Sequence, residues 1–127
     1  MFQIDNQSRQ AVYEQIMQQV EKYVLRGILK GGDKLPSTRN MAMMLHVNPN
    51  TVQRAYSELE RGGVIITAPG RGAFVSGNAE AHLKERRETM FLGELKTLLT
   101  ELKEAGLLKD RIIKIVEEAY RKEGQND

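Results

Sequence analysis

Apolar positions recur every three or four residues in several separate stretches of this chain, a spacing that predicts helices. Within residues 48–61, four apolar side chains fall at i, i+3, i+4 and i+7: Val52, Ala55, Tyr56 and Leu59. They form one apolar face that can be buried against a core. Asn48 is suited to cap this helix, and Pro49 suits its first position because proline lacks the N–H that would be unpaired there.

The opposite face of this predicted helix is polar. At about 100° per residue its side chains share one arc, formed by Asn50, Gln53, Arg54, Ser57 and Arg61. Amide and guanidinium groups match the donors and acceptors that base edges present in the major groove of DNA. This face therefore predicts a helix that reads nucleic acid.

A shorter helix is predicted just before it, within residues 35–45, with Ser37 as its cap. Its buried side is expected to carry Met41, Met44 and Leu45. Only residues 46–48 separate the two helices, and two short helices joined by such a turn form a helix-turn-helix motif. Arg39, on the first helix, would then point at a phosphate or a groove edge.

A small hairpin is predicted after the second helix. Residues 64–68 have the β-branched composition of a strand, and a second strand is expected at 73–75. The turn between them carries Arg71 between Gly70 and Gly72, so the backbone can approach a duplex closely while the guanidinium reaches a minor groove or a phosphate. A phosphate-binding P-loop is excluded, since no Gly-Lys-Ser/Thr ending follows these glycines.

Another helix is predicted near the start of the chain, over residues 8–27, with Ser8 as its cap. Its role is structural, because it covers the back of the helix-turn-helix. Tyr13 and Tyr23 lie at helical spacing among aliphatic residues, so we expect both at or near the core and not as a platform on which bases stack.

The character of the sequence changes from about Ala79, where Glu, Lys, Arg and Leu dominate and a long helix is predicted to about Gly106. Spacings of four and three alternate along it, at Phe91, Leu95, Leu98 and Leu102. This a/d seam lasts less than two heptads, which is adequate for half of a packed helical interface. A last helix, with Asp110 as its cap, carries apolar residues that include Ile113, Val116 and Tyr120.

Two helices of this size cannot enclose a ligand pocket, so their apolar stripes need a partner. The simplest partner is the same pair of helices on a second subunit, which predicts a homodimer. The alternative is a monomer in which both helices fold back onto the first domain. The expected fold class is mainly α with a small β-hairpin, with a winged helix-turn-helix domain over 1–78 and a helical dimerisation segment over 79–127.

Charge distribution agrees with a nucleic-acid partner for the first domain. Residues 1–78 carry nine Lys/Arg and six Asp/Glu, whereas residues 79–127 carry ten and eleven, so the basic excess lies with the helix-turn-helix. The net charge of the whole chain is only +2. Its length of 127 residues is enough for one ordinary domain or for a small domain with an appendage.

Several other classes of function lack support in the residues. Cysteine is absent, which excludes disulfides and thiolate metal sites, and neither His46 nor His82 has a second ligand at a metal-binding spacing. No arrangement for nucleophilic catalysis is present, so we expect neither an enzyme nor a cofactor. With no apolar run of membrane length and no signal-peptide pattern, we expect a cytoplasmic protein without a membrane partner.

Three stretches together resemble a known family: Leu35-Pro36-Ser37-Thr38-Arg39, the helix from Val47 to Leu59, and the wing Gly70-Arg71-Gly72-Ala73-Phe74-Val75. They are similar to the winged helix-turn-helix of GntR-type bacterial transcription regulators. The run Asn48-Pro49-Asn50-Thr51-Val52-Gln53 and the short tail resemble the YtrA-like branch. The resemblance covers residues 8–76 by motif and implies a dimer that binds double-stranded operator DNA and represses its own operon or a transporter operon.

The resemblance also implies where DNA is contacted. Carried over position by position, the family's contacts fall on Arg39, Asn48, Asn50, Thr51, Gln53, Gly70 and Arg71. The helix face adds Arg54 and Ser57. This chain has Pro49 and Gln53 where many relatives have arginine, so two charge-assisted contacts are lost and base readout does not transfer from those relatives. Arg54 is a hypothetical replacement for part of that role.

Other interpretations stay open at this level. The same fold could hold a protein partner, or it could bind DNA without sequence preference as an architectural protein. Salt dependence distinguishes a protein partner from DNA, because DNA binding weakens steeply as the salt concentration rises while an apolar protein interface responds little. The residues do not indicate the operator or whether a small-molecule effector is a further partner.

Overall fold

The computed structural model describes residues 1–125 and forms two compact units, Met1–Arg87 and a second one that begins at Glu88. Five helices and one two-stranded sheet make up the described chain. In order these are α1 (Val12–Leu25), α2 (Thr38–Leu45), α3 (Pro49–Arg61), β1 (Ile65–Ala68), β2 (Gly72–Val75), α4 (Ala79–Glu104) and α5 (Lys109–Gln125). The mainly α fold with a small hairpin is confirmed.

Helix α1 is shorter than predicted, because it begins at Val12 and the residue before it, Ala11, gives no side-chain cap. The predicted cap at Ser8 is wrong. The Ser8 hydroxyl instead accepts a hydrogen bond from the backbone N–H of Gln10 at 3.1 Å, which is a local turn that competes with helix formation. The buried amide of Gln15 donates to the carbonyl oxygens of Asp5 and Gln10 and so holds this N-terminal turn against α1.

The apolar faces of the first three helices and the hairpin meet in one core. Fully buried there are Ile16, Val20, Met41, Val52, Ala55, Leu59, Val64 and Ile65, with Tyr56 and Val75 almost as deeply enclosed. Tyr13 is partly buried and packs against this core, as its helical spacing predicted.

Helix α2 buries a different set of residues from the predicted one. Met41 and Ala42 are buried, whereas Met44 is 55% exposed, so its predicted burial is wrong. Around a helix Met41, Ala42 and the half-buried Leu45 span one arc of about 100°, and Met44 lies outside that arc. Helix α2 has only eight residues and therefore packs through a narrow stripe.

Strands β1 and β2 pair antiparallel, with Ile65 opposite Val75 and Ala68 opposite Gly72. A single β-bridge joins Lys34, in the segment before α2, to Phe74 on the other side of β2. This segment is therefore attached to the hairpin.

The first unit continues beyond the hairpin into α4. Ala79 and Leu83 are buried in its core, and Arg86 donates a 2.7 Å hydrogen bond to the carbonyl oxygen of Gly62 at the end of α3. Arg86 also forms a 3.3 Å ion pair with Glu21. Burial raises the pKa of Glu21, and the nearby Arg86 charge partly opposes that rise. These contacts attach the start of α4 to the first compact unit, which extends to Arg87, whereas the domain predicted from the sequence ends at residue 78.

The second unit consists of the remainder of α4, a turn at 105–108 and α5. Gly106 adopts a left-handed backbone with φ +89°, which ends α4 and reverses the chain. Helix α5 begins at Lys109, so Asp110 lies inside its first turn and its predicted role as the cap is wrong. A carboxylate in that turn still interacts favourably with the helix dipole.

Candidate nucleic-acid interface

Helix α3 is anchored at its start by the predicted cap. The Asn48 side chain accepts a 2.8 Å hydrogen bond from the backbone N–H of Asn50, and Pro49 occupies the first turn. All four residues of the predicted apolar stripe are buried, and they pack α3 against α1 and α2. The cap and the stripe together fix which face of α3 remains exposed.

The exposed face carries the polar side chains that the sequence placed there. Its exposed members are Asn50, Gln53, Arg54, Ser57 and Arg61. The Gln53 amide nitrogen lies 3.2 Å from the Ser57 hydroxyl, and Arg61 forms a 3.1 Å ion pair with Glu58. Thr51 is half-buried, at the border between this face and the core stripe.

Arg54 has an intramolecular partner that the sequence did not indicate. Its guanidinium carbon lies 3.8 Å from the centre of the Tyr13 ring, a cation–π contact between α3 and α1. Such contacts contribute about 0.5–1 kcal/mol at exposed sites. The ring restricts the conformations of Arg54, which as a residue remains exposed on the surface of α3.

The start of α2 is fixed by a cap at Ser37 and by a hydrogen bond from α3 to the residue before that cap. The Ser37 hydroxyl accepts a 3.0 Å hydrogen bond from the backbone N–H of Asn40, which confirms the predicted cap. The buried hydroxyl of Tyr56 donates to the carbonyl oxygen of Pro36 at 2.6 Å and joins α3 to the residues before this cap. Arg39 is exposed in the first turn of α2.

The hairpin presents its turn to solvent. Gly70 has φ +75°, a backbone conformation that side chains disfavour, and the Arg71 N–H donates to the Ala68 carbonyl at 2.9 Å to close the turn. Both Gly70 and Arg71 are exposed. The tip of the wing thus offers open backbone and one guanidinium.

A carboxylate joins α3 to the hairpin. Glu60 Oε2, near the end of α3, accepts hydrogen bonds from the Thr67 backbone N–H at 2.9 Å and from the Thr67 hydroxyl at 2.6 Å. These hydrogen bonds lower the pKa of Glu60 from its ordinary value. The charged carboxylate therefore links β1 to α3 and restricts the hairpin relative to the exposed face of α3.

The described part of the second unit exposes many apolar side chains among charged ones. Within residues 88–121, none is buried. Of the predicted interface residues, Leu102 is half-buried and the others are exposed, namely Phe91, Leu95, Leu98, Ile113, Val116 and Tyr120. An open cleft of about 620 Å³ is lined by Leu95, Leu99, Lys103, Leu107, Lys109, Ile112, Ile113, Val116 and Glu117.

The part of the chain that the structure describes contains neither a metal-binding cluster nor a membrane-spanning helix. No group of three or more His, Cys, Asp or Glu residues there is arranged to hold a metal ion. None of the described helices combines the length and apolar character needed to cross a membrane.

Comparison with known proteins decides between the interpretations of this surface. The profile of the bacterial regulatory proteins of the gntR family matches residues 12–75, which span α1 to the end of the wing. The chain is 45% identical over 118 residues to the HTH-type transcriptional repressor YtrA of Bacillus subtilis, covering 93% of this chain and 91% of that protein. The chain belongs to the GntR family, in its YtrA-like branch. This member of the family is a DNA-binding transcription regulator.

Solved structures agree with the assignment of this GntR regulator. A transcriptional regulator from Oenococcus oeni superimposes with a TM-score of 0.77 at 36% identity, over 92% of this chain and 97% of that one. The DNA-binding domain of AraR, solved in complex with operator ORX1, matches with a TM-score of 0.52 at 19% identity, over 58% of this chain and 94% of that one. At that identity the likeness to AraR shows the fold alone.

Three features of the regulator's first unit were not found from the sequence: Tyr13 beneath Arg54, Glu60 at the base of the wing, and Lys34 beside β2. Each depends on a contact between separate elements, so no local spacing signals it. The predicted residues on α3 and on the wing lie within the same compact unit as Arg39.

Proposed function

We propose that this regulator binds a pseudo-palindromic operator as a homodimer and represses transcription by occupying a promoter. In each protomer α3 enters the major groove, the start of α2 crosses the phosphate backbone and the hairpin lies beside the duplex. The observation that carries this proposal is the polar face of α3, which exposes amide and guanidinium groups while its opposite face is buried.

The proposed contacts divide by chemistry. Asn50, Gln53 and Ser57 offer groups that hydrogen-bond to base edges, and Arg54 reaches a base or an adjacent phosphate. Phosphate and backbone contacts come from Arg39, Asn48 and Thr51. The Asn48 side-chain oxygen is occupied by the cap, which leaves its NH₂ group to donate. At the wing, Gly70 allows close approach and Arg71 supplies a charge to the minor groove or a phosphate.

A second copy of the chain is the proposed partner of the second unit. Exposed apolar side chains of α4 and α5, among them Leu95, Ile113 and Val116, line one cleft, and a contiguous apolar surface marks an interaction site. A dimer also supplies two reading helices to half-sites about 34–36 Å apart and doubles the number of phosphates contacted.

The proposed targets are the regulator's own operon or a transporter operon, reached in the cytoplasm. The relative YtrA is named as a transcriptional repressor, which supports repression. AraR is named in complex with its operator, which supports an operator as the ligand.

Selection of genomic fragments tests this function. Purified protein is mixed with fragmented DNA of its source organism at physiological salt, with excess nonspecific competitor, and bound fragments are sequenced. We expect enrichment of a pseudo-palindrome upstream of the regulator's own gene or a transporter operon. A protein-binding module would enrich no fragment, and an architectural protein would bind DNA without a shared sequence.

Two variants separate base reading from charge. We expect Gln53→Ala to change base preference at one or two positions, at about 1–3 kcal/mol for each lost contact. Arg71→Ala should lower affinity for specific and nonspecific DNA alike, because a wing arginine supplies mainly charge. A uniform loss of affinity in both variants would show that α3 is not the reading helix.

A further inference from the structure

Lys34 is held beside the wing by backbone hydrogen bonds on both sides. The N–H of Leu35 donates to the carbonyl of Ala73 at 2.9 Å, and the N–H of Val75 donates to the carbonyl of Asp33 at 2.8 Å. The segment containing Lys34 therefore pairs with β2 over a short distance, on the edge of β2 that faces away from β1. Its register relative to the hairpin is fixed before α2 begins.

The side chain of Lys34 lies across a glycine of the wing. A Cβ atom at Gly72 would lie 3.0 Å from Lys34 Cε and 3.8 Å from Lys34 Nζ. Gly72 thus leaves the space that the lysine stem occupies, and it also has a φ of +116° that side chains rarely adopt. The Lys34 ammonium therefore lies beside Gly72, which directly follows Arg71.

Lys34 has the properties of a phosphate ligand. It is exposed, and none of the ion pairs found within residues 1–121 engages its ammonium. A lysine ammonium acts as a point charge that binds phosphate without demanding one geometry. Lys34 forms a β-bridge with Phe74 of β2 and precedes Arg39 in the chain, so its segment connects two elements proposed to touch the DNA backbone.

We propose that Lys34 contacts a DNA phosphate next to the wing and that Gly72 gives its side chain the room to do so. This inference rests on the proposed function and adds to it a contact from outside both the helix-turn-helix and the hairpin turn. Because the contact is to phosphate, it contributes to affinity for every sequence and carries no base preference.

The salt dependence of binding tests this contact. Each phosphate neutralised on B-DNA contributes about 0.9 to the slope of log association constant against log salt concentration. For Lys34→Met, which keeps the apolar stem and removes the charge, we expect a slope smaller by about 0.9. Between 50 and 200 mM salt, the variant should then lose about 3.5-fold less affinity than wild type. Lys34→Arg should keep the wild-type slope.

Lys22→Met is the matched control. Lys22 lies in the last turn of α1 and lines a cleft next to the N-terminal segment, so its loss should leave the slope unchanged. Circular dichroism verifies that each variant is folded before titration. Equal reductions for Lys22→Met and Lys34→Met would overturn the inference, because they would reflect overall charge alone.

The outcomes also separate this inference from the proposed function. A wild-type slope for Lys34→Met together with a reduced slope for Arg71→Ala would overturn the role of Lys34 and leave the wing in contact with DNA. Wild-type slopes for both variants would overturn the inference and the proposed wing contact together.

Discussion

The two compact units of this regulator use similar apolar stripes in different environments. In the first unit the stripe of α3 is covered, and Leu59 is only 1% exposed. In the second unit Leu98 on α4 is 51% exposed and Val116 on α5 is 49% exposed. Helical spacing predicts that a face is apolar in both cases, but it does not indicate what covers that face. The first unit completes its core within one chain, and in the proposed dimer the second unit completes its core with a second copy.

The largest predicted effect concerns the seam of the second unit. Leu98→Lys places a charge among apolar side chains, and we expect it to convert dimers to monomers. Loss of the second reading helix should lower operator affinity by about 10²-fold or more, the scale of the advantage from linking two sites. Sedimentation velocity and operator titration measure the two effects.

Thr100→Lys is the matched control for this charge. Thr100 lies outside the seam on the same helix, where its hydroxyl donates to the Lys96 carbonyl at 3.1 Å. The control should remain dimeric and bind operator. A Leu98→Lys protein that still sediments as a dimer would contradict the proposed interface.

The next prediction compares one leucine from each unit. Leu59→Ala should lower the free energy of unfolding by about 2–5 kcal/mol at every protein concentration, because the cavity lies within one chain. The cost of Leu98→Ala should instead depend on protein concentration, because it acts through association. Urea unfolding at several concentrations measures both. A cost for Leu98→Ala that does not vary with concentration would indicate that this leucine packs within its own chain.

A smaller effect comes from two tyrosines. Tyr56 is 2% exposed, its hydroxyl donates to Pro36, and burial raises its pKa above the ordinary value. Tyr56→Phe should cost about 1 kcal/mol of stability through the lost hydrogen bond. Tyr120 is 74% exposed in the single chain, and Tyr120→Phe keeps the ring that the proposed interface would bury, so this change should alter stability by less than about 0.5 kcal/mol. Thermal unfolding measures both changes in stability. Equal losses for Tyr56→Phe and Tyr120→Phe would contradict this difference between the units.

The smallest effect is the pH dependence of the Glu60 contact. Thr67 lowers the pKa of Glu60, so the carboxylate's contribution to stability is fully present above its ordinary pKa of 4.5. That contribution is lost as the pH falls through the lowered value. We therefore expect wild type to be slightly more stable than Glu60→Gln at pH 7, with the difference shrinking below pH 4.5. Thermal unfolding at several pH values checks this, and a difference that grows on acidification would contradict it.

The sequence predicted what depends on neighbouring residues. The cap at Asn48, the buried stripe of α3 and the glycine-rich turn of the wing are local, and all three are present. The start of α1 was predicted wrongly because the Ser8 hydroxyl accepts a hydrogen bond within a local turn. The Gln15 side chain also donates to the carbonyl oxygen of Asp5, ten residues earlier, and holds this segment outside the helix. The contacts of Arg54 with Tyr13 and of Glu60 with Thr67 join different elements, and no periodic pattern encodes them.

Hydrogen exchange of the wild-type protein above and below its dimer dissociation constant tests the contrast between the units most directly. On dilution, amides of the second unit should lose protection as the apolar faces of α4 and α5 separate from their partner. Amides in the core of the first unit should keep theirs. Equal protection of both units at every concentration, in a protein that sediments as a monomer, would contradict the account.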